Sequence, residues 1–147
     1  MHFTQIGDTY LVRLERGEEI HATLRAFCQQ QGITAGWING IGAVMQAELG
    51  YFHRDRKEYS WRQITTDHEL TSLLGNISLK EGEIWLHLHA TLSDEHFQVT
   101  AGHLKSGVIS VTGEIILHPL PGSVNRKLDP SFNSFLLDLP GNLNSGK

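Results

Sequence analysis

Residues 84–92, IWLHLHATL, alternate with a period of two. Successive side chains of an extended strand point to opposite faces. Ile84, Leu86, Leu88, Ala90 and Leu92 therefore form an aliphatic face, and Trp85, His87, His89 and Thr91 form the other. The first face belongs to a core. The second sets two imidazoles side by side, about 6.6–7 Å apart along the backbone, close enough to lean toward a common point.

The rest of the chain reads mostly in the same period. TYLVRLERGEE alternates, with Tyr10, Val12 and Leu14 on one face, and predicts a strand ending at Gly17. EEIHATLRAFCQQQG breaks that period: Ile20, Leu24, Phe27 and Cys28 fall on one helical stripe. Glu18 and Glu19 suit the first turn of that helix and Gly32 suits its end. Beyond it, ITAGWINGIGAV reads as a short strand and a glycine turn, followed by strands in AVMQAELGYFH, KEYSWRQI and HELTSLLGNISL. FQVTAGHL and GVISVTGEIILH read as two strands with KSG as the turn between them. This pattern predicts an α+β fold: a mainly antiparallel β-sheet with one long helix packed on it. The tail from Pro119 reads as loop, with FNSFLLDL needing a surface to cover, on its own sheet or a neighbouring subunit.

Bulk properties narrow the class. A chain of 147 residues fits a single domain, residues 1–147, with an adequate core. Net charge is −4, so no general attraction to nucleic acid or anionic membrane is expected. Cys28 is the only cysteine, which rules out an internal disulfide and a CxxC metal motif and fits a cytoplasmic setting. No signal peptide and no apolar run of membrane-spanning length is expected.

Zinc binds imidazole nitrogens at about 2.0–2.1 Å, usually with three or four ligands, so His87 and His89 are candidate ligands. The alternative is two histidines packed between strands. His103, in VTAGHLKSG, is the third candidate, provided the hairpin register suits. A four-residue loop at 93–96 would set Gly102 opposite His87. A five-residue loop, or a bulge at Gly102, would set His103 there instead. His96 reads as an exposed turn residue. Glu69 and Glu114, in strands poor in charge, are candidates for orienting a ligand histidine or serving as a general base, with Arg13 as a salt partner. Gly40-Ile41-Gly42 lacks the third glycine and the following helix of a nucleotide loop and reads as tight packing. Cys28, on the apolar stripe, reads as core rather than nucleophile. The basic clusters RDRK and NRK read as solvated turns.

Taken in order, RLERGEEI, GWINGIGAVMQAELGYF, HELTSLLGNIS, LHLHATLSD, AGHLKSG and TGEIIL resemble the PPC domain family, the plant and prokaryote conserved domain. The resemblance covers about residues 5–120 and leaves out the tail, 121–147. It implies an α+β domain assembled as a homotrimer, with a metal site at the HxH and GH histidines, here His87, His89 and His103. Three histidines leave the fourth zinc position open, for a small ligand or water. In plant relatives DNA contact is attributed to an AT-hook, whose Arg-Gly-Arg-Pro core is absent here. The stand-alone members' association with DNA therefore carries over weakly, and a trimer that binds a partner, or one without metal, stands as the alternative.

Overall fold

The computed structural model describes residues 1–141. β1 (His2–Ile6) and β2 (Thr9–Glu15) form a hairpin and lead into α1 (Ile20–Gln31). There follow β3 (Gly36–His53), β4 (Glu58–Ile64), β5 (His68–Lys80), β6 (Glu83–Ser93) and β7 (Val99–Pro119). β8 (Arg126–Asp129) and β9 (Ser134–Leu137) form a separate small hairpin. Every ladder between these strands is antiparallel, and α1 is the only helix of the described residues. This is the expected α+β architecture.

The main sheet runs β1-β2-β7-β6-β5-β3-β4, and β7 also pairs with β3. The ladders β3–β5, β5–β6, β6–β7 and β7–β3 thus form a closed circuit, which removes the open edges these strands would otherwise present. Ile38, Leu73, Leu88, Ile109 and Ile115, one or more from each of the four strands, are buried in a single hydrophobic cluster. The face of β6 predicted to be aliphatic is buried from Ile84 to Leu92, and the opposite face carries Trp85, His87, His89 and Thr91 at intermediate or exposed positions.

Twelve residues are too few for a stable isolated helix; α1 is held by its buried stripe of Ile20, Leu24, Phe27 and Cys28. Phe27 meets the rings of Phe3 and Tyr10 edge-on at 5.0 and 5.2 Å. Glu19 lies just before the first turn, as the N-cap. Its carboxylate accepts from Ala22 N at 2.6 Å and from Gly107 N, in β7, at 3.2 Å. Gly32 ends the helix at φ 67°, a left-handed conformation suited to glycine.

Three readings of the sequence are corrected. Gly40-Ile41-Gly42 is not a turn: β3 runs for 18 residues through it, with a register shift against β5. Its glycines permit close approach, since a Cβ on Gly40 would lie 2.9 Å from Ile115 Cγ1. Lys105-Ser106-Gly107 is not a turn either, because β7 runs unbroken for 21 residues. Gly107 makes room for the helix there, a Cβ at that position lying 3.0 Å from Ile20 Cδ1. The tail is not all loop, since β8 and β9 pair from Arg126↔Leu137 to Asp129↔Ser134.

Gly75 faces Leu88 across the β5–β6 ladder, and a methyl there would run into the carbonyl oxygen of His87. Gly75→Ala is expected to lower stability by about 1–3 kcal/mol in urea titrations and to reduce the histidine site's integrity with it. Unchanged stability would show that the two strands can separate without cost.

Candidate metal centre

The β6–β7 hairpin turns over residues 94–98. Asp94 Oδ1 accepts from His96 N and Gln98 N at 2.9 and 2.8 Å, and Phe97 takes a positive φ of 60°. The loop has five residues and no bulge falls at Gly102, which pairs with Ala90. Because the loop starts after Ser93, His103 pairs with His89 rather than His87. The parity is the one that matters: His103 joins the histidine face. His96 is an exposed turn residue, as expected.

β6 and β7 pair only over residues 89–93 and 99–103; beyond His103, β7 continues against β3. The ring centroids of His87, His89 and His103 lie 5.1–5.5 Å apart, and one nitrogen from each lies within 4.8 Å of the others. Neutral imidazoles converging from two strands are a donor set suited to zinc. His103 Nδ1 is buried without any hydrogen-bond partner, a costly state for a polar atom unless something else engages it. The residues present fit a divalent metal.

Around the histidines is a cavity of about 840 Å³. α1 contributes His21 and Arg25 to its wall, and β4 contributes Tyr59 and Trp61, stacked at 4.8 Å. His21 Nε2 donates to the Leu104 carbonyl at 2.9 Å, tying the helix to β7 one residue beyond His103. Tyr59 lies 5.3 Å from the His103 ring. The tail hairpin supplies Phe132, Phe135 and Leu136 to the wall, so part of FNSFLLDL lies against this chain's own site, while Leu137 and Leu139 stay exposed away from it.

Sequence reasoning missed Arg126. Read as part of a solvated cluster, it is half-buried and donates to Ser78 Oγ (2.8 Å), Asn76 Oδ1 (2.8 Å) and the Phe135 carbonyl (2.9 Å). Only Ser78 and Asn76, polar positions on one strand, hinted at a buried polar partner.

Glu69 and Glu114 are placed elsewhere. Both are exposed and line a different, smaller cavity with Ile41 and Val111. Arg13 pairs with Glu114 in register, but its guanidinium contacts Glu15 at 3.5 Å. Cys28 is buried and its thiol is pushed up to about 12 by desolvation, which leaves it unreactive.

The model of the Plants and Prokaryotes Conserved (PCC) domain matches residues 1–121. No functionally curated protein matches the chain. Among solved structures, a protein from Bacteroides thetaiotaomicron, provisionally described as DNA-binding, is 32% identical with a TM-score of 0.90, over 93% of this chain and 96% of that one. A plant- and prokaryote-conserved protein from Pyrococcus horikoshii is 35% identical with a TM-score of 0.82, over 94% and 96%. A metal-containing protein from Archaeoglobus fulgidus is 31% identical with a TM-score of 0.85, over 95% and 99%.

Desolvation, reinforced by Arg126 and His89, lowers His87 to about 4. Desolvation and the neighbouring His87 lower His103 to about 4. An unfolded histidine titrates near 6.5, so between about pH 6.5 and 4 the unfolded chain binds protons that the folded chain refuses. The metal-free protein should therefore lose stability as pH falls through that window. Thermal unfolding between pH 7 and 5 should show the slope, and His87→Gln with His103→Gln should flatten it; an equal slope in the variant would place its origin elsewhere.

Proposed function

The chain belongs to the Plants and Prokaryotes Conserved (PCC) domain family, and from that premise we propose that it binds a divalent metal, zinc, through His87, His89 and His103, and presents the open coordination position to a small ligand. The observation that carries this reading is the convergence of three imidazoles on one point while His103 Nδ1, buried among them, has no partner. The similarity to the metal-containing protein of Archaeoglobus fulgidus supports it. Zinc so held would act as a Lewis acid on an oxygen of the ligand or lower the pKa of a bound water.

The protein's own residues set the terms of binding. Burial keeps His87 and His103 neutral at pH 7, so a metal meets no competing proton on either. Tyr59, Trp61, Phe132 and Phe135 line the cavity, giving a ligand there apolar surface to pack against. Glu69 and Glu114, exposed at the other cavity, are not in place to assist there. The proposal is therefore of a metal-dependent ligand site, with the reaction class left to substrate screening. Direct DNA binding, suggested by the description of the Bacteroides thetaiotaomicron protein, is the weaker reading: net charge is −4 and the chain has no AT-hook core.

Assembly as a homotrimer and a cytoplasmic location belong to the same proposal. No helix is long and apolar enough to cross a membrane among the described residues. Supporting self-assembly, Leu74, Ile116 and Leu11 are exposed on one face of the sheet, in a row interrupted by Asn39, and Trp37 and Ile41 are exposed beside them. Exposed apolar residues grouped in this way mark a candidate interface.

Protein purified without an affinity tag or added metal should carry about one zinc per chain by emission spectroscopy, and His87→Ala with His89→Ala should carry none. Absence of metal from both would return the histidines to packing. Sedimentation equilibrium should give three times the 16.5 kDa chain mass, and Leu74→Glu with Ile116→Glu should yield single chains; a wild-type monomer would overturn the assembly.

A further inference from the structure

Arg126 is a half-buried guanidinium held only by neutral acceptors: a serine hydroxyl, a side-chain amide and a backbone carbonyl. These use three of its five donors and leave two. Among the described residues no carboxylate lies within ion-pair distance of it. Removing such a cation from water without a counterion is costly.

Its position makes the omission informative. Asn76, which holds Arg126, sits directly across the β5–β6 ladder from His87. Arg25, Arg54 and Lys105 also line the cavity, and no aspartate or glutamate does among the described residues. Only Lys105 is neutralised, by Glu48 at 3.1 Å. A chain with net charge −4 has thus collected unpaired positive charge in the cavity of its histidine cluster. Much of the remaining wall is apolar, with Tyr59, Trp61, Phe132 and Phe135 contributing aromatic rings.

We propose that the cavity binds a small organic oxyanion with an apolar or aromatic body, its carboxylate or phosphate head on Arg126 and its body against the cavity's apolar and aromatic lining. A guanidinium with free donors matches such a head group, and charge-assisted bonds of this kind are the strong ones. The inference rests on the metal reading only for what the ligand's other polar atom meets. Arg126, Phe132 and Phe135 come from the tail, beyond the residues matched by the family model, 1–121, whereas Tyr59 and Trp61 lie within them. Tail hairpin and β4 together would choose the ligand.

The test is calorimetric titration of benzoate, phenyl phosphate and neutral benzamide into the full-length protein, metal-free and zinc-loaded, with zinc measured in every sample. At least one anion should bind about tenfold more tightly than benzamide, and whichever is preferred identifies the head group. Arg126→Gln should shrink that gap to less than about threefold while zinc content holds. Benzamide binding as well as both anions in zinc-loaded wild-type protein would overturn the inference and leave the metal reading intact. An anion preference in protein that takes up no zinc would sustain the inference and overturn the metal reading. A gap undiminished in folded Arg126→Gln would overturn the assignment to Arg126, and the wild-type comparison decides the main point even if that variant fails to fold.

Discussion

The ladder between β3 and β7 is the constraint on which the rest of the molecule depends. β7 meets β3 over most of its length, from Gly50↔His103 to Gly36↔Pro119. That contact closes the β3–β5–β6–β7 circuit and buries the inner face of all four strands together. It also holds β7 against the approach to α1, where Gly17 N donates to the Ile109 carbonyl at 2.9 Å and Ile109 N donates to the Glu18 carbonyl at 3.0 Å. Gly40 and Gly42 in β3 and Gly113 in β7 are small because backbones and core side chains meet there at close range. A larger side chain would push the two strands apart and open the core.

The histidine cluster is a by-product of the same geometry. β7 leaves β6 at His103 in order to follow β3, so β6 has no β7 partner beside it from Glu83 to Leu88, and a gap opens next to the histidines. Helix, aromatic strand and tail hairpin line that gap. His87 and His103, which would lie on the surface of a flat sheet, are thereby partly desolvated, which holds them neutral. Position and protonation state thus have one cause.

Much of this was legible in the sequence wherever a residue's role depended on its immediate neighbours. The two-residue period of IWLHLHATL placed His87 and His89 on one face, and the four-residue stripe of α1 picked out Ile20, Leu24, Phe27 and Cys28. Glycine was harder to read. Gly40, Gly42 and Gly107 look like turn residues, yet each serves close approach within a continuous strand, a demand made by Ile115, Thr112 and Ile20 from distant segments. The tail failed for the same reason. Nothing around Arg126 in sequence says that Asn76 and Ser78, some fifty residues earlier, supply its acceptors.

By itself, then, the sequence determined periodicity: which faces are apolar, where the helix lies, and that two imidazoles point the same way. It also carried the ordered motifs of the PCC family. Tertiary structure alone decided that His103 lies across from His89, that Glu69 and Glu114 belong to another cavity, and that Arg126 stands beside the histidines without a counterion. The physical reason is range. Alternation is set by backbone geometry between adjacent residues, whereas register, cavity walls and uncompensated charge depend on which distant segments the closed sheet brings together.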